Sequence, residues 1–122
     1  MVQQEKIKVG ITHGDINGIS YEVIIKTLMD NRINDLCVPI LYGSAKVAAY
    51  HRKALGIKNF NLNIVRDASK VDTKKPNVIN CLEENIRVEL GKSVINAGKA
   101  SIQALDKAVE DLKAGKVDVL VT

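Results

Sequence analysis

The stretch from residue 11 to residue 22 decides the fold and reads Ile-Thr-His-Gly-Asp-Ile-Asn-Gly-Ile-Ser-Tyr-Glu. The alternating apolar run Ile7–Ile11 predicts a strand, and the apolar spacing from Tyr21 onward predicts a helix. Gly14 and Gly18 lie between the two, where glycine allows a positive φ or a close approach to a ligand. A strand, a glycine turn and a helix together present backbone N–H groups to an anion. The same unit also occurs for folding alone, so the residues leave a ligand role and a structural role equally open.

Two standard nucleotide-binding motifs are absent from this turn. It is not Gly-x-Gly-x-x-Gly, and no Gly-Lys-Ser/Thr follows it, so neither a Rossmann fingerprint nor a P-loop is present. Asp15, the only carboxylate in the turn, either accepts backbone N–H groups or borders a dinucleotide, and both interpretations stay open. For Glu22 we favour an interaction with the positive end of its helix over a contact with substrate.

The composition indicates one globular domain with a mildly basic surface. The chain has 122 residues, 46% of them hydrophobic, and a net charge of +4, which predicts a solvated surface rather than a polyanion site. Three Tyr, one Phe and no Trp are too few for a base-stacking platform, so we expect no nucleic-acid partner. No apolar run approaches a membrane span and polar residues open the chain, so we expect no membrane partner, no signal peptide and a cytoplasmic location. Cys37 and Cys81 are predicted to be small buried hydrophobic residues.

Strand-like and helix-like patterns alternate along the chain. The predicted strands are Lys6–Thr12, Val38–Tyr42, Leu62–Val65, Val78–Cys81, Ile86–Leu90 and Val117–Thr122. The predicted helices are Ser20–Asn31, Ala45–Leu55 and Val94–Ala114, with turns at Asn31–Asp35 and a basic, solvated loop at Arg66–Pro76 that contains Arg66, Lys70, Lys74 and Lys75. This order predicts an α/β fold in which a parallel or mixed sheet carries helices on both faces. We expect residues 1–122 to form a single domain.

The helix ends and helix faces follow from local chemistry. Ser20 and Ser44 are predicted N-caps, and Gly56 and Gly115 are predicted to end their helices. The first helix is predicted to face inward with Val23, Ile24, Ile25 and Leu28. In the long helix, small and apolar residues at three- and four-residue spacing predict one packed face: Ala97, Ala100, Ser101, Ala104, Leu105, Ala108, Val109 and Leu112.

Neither histidine is predicted to bind a metal. His51 is predicted to be a surface residue of its helix, because Arg52 and Lys53 follow it. His13 lies where α/β sheets bind ligands, and it either bonds to the backbone or has a functional role. A metal site needs about three converging ligands, so we assign no metal ligand in this chain. No nucleophile-elbow motif is present, and we assign no catalytic residue.

The opening pattern Ile-Thr-x-Gly-Asp-x-x-Gly-Ile-x-x-Glu resembles the start of the 4-hydroxythreonine-4-phosphate dehydrogenase family, which lies within the isocitrate/isopropylmalate dehydrogenase superfamily. The matching residues are Ile11, Thr12, Gly14, Asp15, Gly18, Ile19 and Glu22. The departures are Ile16 for Pro, Asn17 for Ala, Ser20 for Gly and Tyr21 for Pro. Near the other end, Gly91, Lys92, Ala97, Gly98 and the strand at residues 118–122 also match. The resemblance covers the whole chain but about the first third of a typical member, so we expect a truncated N-terminal part of a longer enzyme.

The resemblance implies a function for that longer enzyme. It implies NAD-dependent oxidation and decarboxylation of 4-phosphohydroxy-L-threonine in pyridoxal 5′-phosphate (vitamin B6) biosynthesis, by a homodimer acting on a phosphorylated small molecule. It places NAD beside Gly14, Asp15, Gly18 and Ile19, and a divalent metal (Zn, Mg or Co) on three histidines beyond residue 122. The alternatives are a dehydrogenase of threonate or erythronate 4-phosphate, a superfamily acyl- or phosphate-transferring enzyme without NAD, and an inactive structural fragment.

Overall fold

A five-stranded sheet forms the centre of the protein. The computed structural model describes residues 6–82, 88 and 95–122. The strands are β1 (Ile7–Thr12), β2 (Cys37–Gly43), β3 (Asn63–Val65), β4 (Asn77–Asn80) and β5 (Val119–Val121), in the order β3-β4-β2-β1-β5. The helices are α1 (Ser20–Leu28), α2 (Asn31–Leu36), α3 (Ala45–Ala54) and α4 (Ile95–Lys113), and a single 3₁₀ turn spans Ala68–Lys70. Every strand pair in the described part is parallel, which confirms the predicted α/β fold.

The two faces of the sheet carry separate apolar cores. Alternate residues of β2 point to opposite faces, as the period of a strand requires. On one face α1 and α3 pack with Leu41 and Val78, and the buried side chains are Ile16, Tyr21, Ile25, Leu28, Val47, Ala48, Phe60 and, from the start of α4, Ala97 and Ala100. On the other face α4 packs over Val38, Ile40, Tyr42 and Ile79 through Ala104 and Ala108. Helices on both faces were predicted, and this is confirmed.

Three helix ends follow their sequence signals. The Ser44 hydroxyl caps α3 by accepting the Val47 N–H at 3.2 Å. Gly56 and Gly115 have φ of +71° and +75°, the left-handed conformation that closes a helix. Ser20 is not an N-cap, however. Ile19 holds that position without a side-chain hydrogen bond, and Ser20 is the first helical residue.

The chain between α1 and β2 differs from the sequence prediction. A turn was predicted at Asn31–Asp35, but these residues belong to the short helix α2. The Asp30 carboxylate causes this, because it accepts the Arg32 N–H at 3.0 Å and caps a new helix. Helix α1 therefore stops at Leu28. Its inward face also differs from the prediction, since Tyr21, Ile25 and Leu28 are buried whereas Val23 is 56% exposed.

Helix α4 lies on the sheet through alanines. Ala97, Ala100, Ala104 and Ala108 are at most 4% exposed, as the small-residue spacing predicted. The same prediction was wrong for Leu105 and Leu112, which are 40% and 38% exposed. Ala104 and Ala108 pack on the sheet, whereas Ala97 and Ala100 join the core formed with α1 and α3. Small side chains let the helix backbone approach closely, and the larger leucines lie on its flank. The strand predicted at Ile86–Leu90 lies outside the described residues, apart from residue 88.

Candidate functional site

The turn after β1 is held by its own polar groups. Gly14 has a φ of +65°, which favours glycine, whereas Gly18 does not have a positive φ. The Asp15 carboxylate accepts the Asn17 N–H at 2.9 Å, and the Asp15 carbonyl accepts the Gly18 N–H at 3.2 Å. Asp15 therefore braces the turn, one of the two roles that the sequence left open. A β-carbon on Gly18 would lie 3.3 Å from Asp15 Oδ2, so this glycine matters through close packing and not through a positive φ.

The turn lies at the carboxyl edge of the sheet, where the strand order changes direction. From β1 the chain passes through α1 and α2 to β2 on one side, whereas α4 crosses the opposite face and delivers β5 to the other side of β1. Open α/β sheets bind ligands at this edge, near such a reversal. Ile19 is 73% exposed there, at the N-terminus of α1.

His13 connects this turn to three other elements. Its Nδ1 lies 2.6 Å from the Tyr21 hydroxyl, and its Nε2 lies 3.0 Å from the Ala100 carbonyl oxygen in α4. The Tyr21 oxygen also accepts the Ser44 N–H at 3.1 Å, at the start of α3. His13 is fully buried, and this burial lowers its pKa below the usual 6.5, against the opposing effect of the Ala100 carbonyl.

These contacts fix where the protons lie. A carbonyl oxygen can only accept, so the Nε2 of His13 must carry the hydrogen that points to Ala100. In the neutral ring Nδ1 is then an acceptor, and the Tyr21 hydroxyl donates to it while accepting from Ser44. Gly43 leaves room for this arrangement, because a β-carbon there would lie 2.5 Å from the Tyr21 oxygen and 2.8 Å from His13 Nδ1. Of the two roles the sequence left open for His13, the structure shows the backbone-bonded one.

The prediction that His51 is a surface residue was wrong. It is 5% exposed, its Nε2 lies 2.7 Å from the Ile16 carbonyl oxygen, and its ring stacks on Tyr21 with centroids 5.1 Å apart. The basic neighbours Arg52 and Lys53 suggested exposure, but they lie on other sides of α3. His51 thus contacts the glycine turn through the Ile16 carbonyl and helix α1 through the Tyr21 ring.

An open groove of about 390 Å³ lies beside the turn, between α1 and α3. Gly18, Ile19, Glu22, His51 and Leu55 are among its lining residues. Glu22 forms an ion pair with Lys26 at 2.8 Å on the surface of α1, in the first turn of the helix where a negative charge is favourable. Its predicted structural role agrees with this position.

The remaining candidate groups are dispersed. Within residues 6–82, 88 and 95–122, no three His, Cys, Asp or Glu side chains lie close enough together to hold a metal ion. Cys37 and Cys81 are free and only partly buried, so the prediction that they are buried was wrong. The basic side chains predicted to be solvated are exposed: Arg66, Lys70, Lys74 and Lys75.

Among the helices of the described part, none is both long enough and apolar enough to span a membrane.

Comparison with known proteins identifies the family. The family model for the pyridoxal phosphate biosynthetic protein PdxA matches residues 35–122. The chain belongs to the PdxA family. A 4-hydroxythreonine-4-phosphate dehydrogenase from Bacteroides thetaiotaomicron is 48% identical over 121 residues, which are 99% of this chain and 33% of that protein. A Clostridium botulinum protein with the provisional name D-threonate 4-phosphate dehydrogenase is 35% identical over 120 residues, 93% of this chain and 35% of that protein.

Solved structures of PdxA proteins share the fold. A 4-hydroxythreonine-4-phosphate dehydrogenase from Burkholderia phymatum superimposes with a TM-score of 0.82 at 26% identity, over 96% of this chain and 36% of that one. For a Klebsiella pneumoniae protein of the same name the TM-score is 0.80 at 20% identity, over 95% and 36% of the two chains, and this likeness shows the fold alone. The PdxA chain described here spans about a third of the length of the curated relatives it matches.

Proposed function

We propose that this chain is the N-terminal third of an NAD-dependent dehydrogenase that oxidises and decarboxylates 4-phosphohydroxy-L-threonine in pyridoxal 5′-phosphate biosynthesis. One observation carries the proposal: the chain is 48% identical over 121 residues to the 4-hydroxythreonine-4-phosphate dehydrogenase of Bacteroides thetaiotaomicron. By full-length enzyme we mean the protein in which residues 1–122 are followed by the remaining two thirds of the family's length. We propose further that it acts as a homodimer in the cytoplasm on a phosphorylated small-molecule substrate.

Within this chain, Gly14, Asp15, Gly18 and Ile19 are proposed to border NAD. The position of the turn at the carboxyl edge of β1 supports this, because open α/β sheets bind dinucleotides there. When bound, NAD supplies the hydride acceptor for oxidation of the substrate hydroxyl. The residues of this chain would orient it: Asp15 holds the turn in shape, Gly18 keeps the surface free of a side chain, and exposed Ile19 offers an apolar contact.

The metal that the family resemblance implies does not fit the described part of this chain. Its two histidines each use Nε2 for a backbone carbonyl, Ala100 for His13 and Ile16 for His51. Both rings are at most 5% exposed, and no group of three metal-binding side chains is present among the described residues. We therefore assign Zn, Mg or Co to the remainder of the full-length enzyme and derive no step through a metal here.

A second candidate substrate is a sugar-acid phosphate such as threonate or erythronate 4-phosphate. The 35% identity with the Clostridium botulinum protein favours considering it. Because the identity to the Bacteroides thetaiotaomicron protein is higher, the sugar-acid phosphates are the second candidate and not the first. The test is formation of NADH by the full-length enzyme with 4-phosphohydroxy-L-threonine, D-threonate 4-phosphate and D-erythronate 4-phosphate, at equal enzyme and metal concentrations.

We expect the highest kcat/KM with 4-phosphohydroxy-L-threonine. A higher value with either sugar-acid phosphate would replace the proposed substrate by that one. Release of phosphate without NADH would instead indicate a transferring enzyme of the superfamily, and absence of both products would reject the proposal.

A further inference from the structure

The glycine turn, residues 13–20, is held by two buried histidine rings that come from different elements. At its start, His13 donates from Nε2 to the Ala100 carbonyl in α4 at 3.0 Å. In its middle, the Ile16 carbonyl accepts from Nε2 of His51 in α3 at 2.7 Å. These two hydrogen bonds tie the backbone of the turn to the helices on both sides of the sheet.

Tyr21, in the first turn of α1, contacts both histidine rings. Its hydroxyl lies 2.6 Å from His13 Nδ1, and the two rings pack edge-on with centroids 5.4 Å apart. The Tyr21 ring also stacks on His51, with centroids 5.1 Å apart and an angle of 5° between the planes. One fully buried side chain therefore joins the two histidines that hold the turn.

The hydroxyl of Tyr21 serves two buried groups at once. Because His13 uses its Nε2 hydrogen for Ala100, the neutral Nδ1 needs a donor, and the hydroxyl supplies it. The N–H of Ser44 needs an acceptor, and the hydroxyl oxygen supplies that too, at 3.1 Å. A phenylalanine ring in the same place would keep the contacts with both histidine rings. It would, however, leave a buried N–H and a buried ring nitrogen without their partner.

The backbone of the turn is not stiffened by proline. The two prolines of the chain are Pro39 and Pro76, and both lie outside the turn. Ile16 and Tyr21 occupy the two positions at which the family pattern has Pro. Proline fixes φ whatever its surroundings, whereas Ile and Tyr do not, and the two glycines of the turn add freedom. The shape of this turn therefore depends on side-chain contacts with other elements.

We propose that Tyr21 and His13 are positioning residues for NAD, whose hydrogen bond holds the glycine turn in the shape that receives the dinucleotide before it binds. The inference rests on the proposed function, in which this turn borders NAD. A segment that is already ordered loses little conformational entropy on binding, so an ordered turn binds more tightly than a mobile one. Both side chains are fully buried, so they act through the backbone of the turn and not by touching the cofactor.

A positioning role and a purely structural role predict different measurements. If the turn loses its shape, part of the free energy of NAD binding is used to order it again, so the Kd for NAD rises. Once NAD is bound the turn is held in place, so kcat stays near that of the wild type. A residue that only stabilises the fold would instead lower the Tm and the amount of active enzyme, and would leave the Kd for NAD unchanged.

The test compares Tyr21→Phe with Tyr50→Phe in the full-length enzyme. Each substitution removes one hydroxyl from a ring that contacts His51, but Tyr50 is 44% exposed and lies outside the contacts that hold the turn. Isothermal titration calorimetry measures the Kd for NAD, and steady-state kinetics measure kcat and the KM for substrate. We expect Tyr21→Phe to raise the Kd for NAD at least about fivefold, with kcat and the KM for substrate within about twofold of the wild type. Tyr50→Phe should change none of the three.

A second variant disturbs the same hydrogen bond from β2, outside the turn. A β-carbon on Gly43 would lie 2.5 Å from the Tyr21 oxygen and 2.8 Å from His13 Nδ1, so Gly43→Ala should also raise the Kd for NAD. Gly10→Ala is its control, because a β-carbon there would lie 2.7 Å from Leu120, which packs on the opposite face of the sheet. It should leave the Kd for NAD unchanged. Each variant is measured at a temperature at which circular dichroism shows it to be folded.

The outcomes separate the positioning role from the proposed function. If the wild type binds NAD and Tyr21→Phe binds it equally well, the positioning role is overturned and the proposed function stands. Equal rises in Kd for Tyr21→Phe and Tyr50→Phe, or a fall in kcat with an unchanged Kd, would also overturn the positioning role. Failure of the wild type to bind NAD would reject the proposed function and, with it, the role assigned to these two residues.

Discussion

At the scale of single residues, Gly14 in the turn and Gly56 at the end of α3 both have a positive φ but differ in their surroundings. Gly14 has a positive φ, and a β-carbon on it would also lie 2.9 Å from the Ser20 hydroxyl. Gly56 has a positive φ as well, but its surroundings are open. Comparing the same substitution at Gly14 and at Gly56 therefore separates the cost of backbone strain from the cost of local crowding.

Gly14→Ala and Gly56→Ala are both expected to lower the free energy of unfolding, by about 1 kcal/mol from the unfavourable φ. Gly14→Ala should lower it further because of the contact with Ser20. Urea unfolding of both variants measures this, and Ser20→Ala in the Gly14→Ala background should remove the additional loss. Equal losses for the two glycines would contradict the crowding at Gly14.

Gly18 is expected to affect NAD more than stability. A valine there would press on the Asp15 carboxylate, 3.3 Å from the new β-carbon, and would fill the surface beside the turn. In the full-length enzyme, Gly18→Val should raise the KM for NAD well before the KM for substrate. Asp15→Ala should do the same more mildly. Weaker substrate binding with unchanged NAD binding would show that the turn does not border the cofactor.

His13 is expected to make stability depend on pH. Burial lowers its pKa in the folded protein, so the unfolded chain binds more protons once the pH falls below about 6.5. Stability should therefore be complete above that pH and decrease below it, until the folded-state pKa is passed. His13→Gln is the control, because glutamine does not titrate. The difference in unfolding free energy between wild type and variant should shrink from about pH 7.5 to about pH 5. A constant difference would contradict the neutral, buried His13.

Several residues whose role depends on their sequence neighbours were predictable, although Ser20 and Asp30 were not. Residues whose role depends on distant elements were not predictable. Ser44, Gly56 and Gly115 act on the helix beside them, so the sequence identified them correctly. His51 is buried by Ile16 and Tyr21, which lie some thirty residues earlier in the chain. Charged neighbours predicted exposure for it, and only the packing of α3 against the turn could show otherwise.

At the scale of elements, a buried polar contact between β2 and α4 adds to the packing of Ala104 and Ala108 on the sheet. The Tyr42 hydroxyl in β2 donates to Asp111 at 2.6 Å, and both side chains are at most 2% exposed. Burial and the carboxylate together raise the pKa of Tyr42. Gly10 in β1 lies against the Tyr42 ring, since a β-carbon there would be 3.1 Å from it. The sequence predicted the helix and its alanines but not Asp111, because a carboxylate is rarely predicted to face a sheet.

Tyr42→Phe is expected to lower the free energy of unfolding by about 1–3 kcal/mol, because the buried Asp111 keeps its ion pair with Lys107 but loses its hydroxyl donor. Tyr50→Phe is the matched control, since Tyr50 is 44% exposed. It should change stability by less than about 0.5 kcal/mol. Equal effects of the two substitutions in urea unfolding would show that the contact with Asp111 does not stabilise the packing of α4.

At the scale of the whole molecule, alternating strand and helix patterns were enough to predict an α/β fold, but not the strand order. The apolar runs at β1, β2 and β5 predicted one sheet, and the structure confirms it. The position of β5 beside β1 depends on where α4 crosses, which is a matter of packing between distant residues. The candidate site follows the same division: the glycine turn was visible in the sequence, whereas its support by His13, Tyr21 and His51 was not.

Residues 1–122 alone are expected to form no NADH from 4-phosphohydroxy-L-threonine and to bind no catalytic metal. The Nε2 atoms of His13 and His51 are engaged by backbone carbonyls, and the described residues contain no cluster of metal-binding side chains. A dehydrogenase needs cofactor and substrate held together at one place, and this chain offers at most one border of such a place. The purified chain should therefore give no NADH above background with Zn²⁺, Mg²⁺ or Co²⁺ added, while the full-length enzyme turns over in parallel. NADH formation by the chain, with full-length contaminant excluded by mass spectrometry, would show that it contains a complete active site.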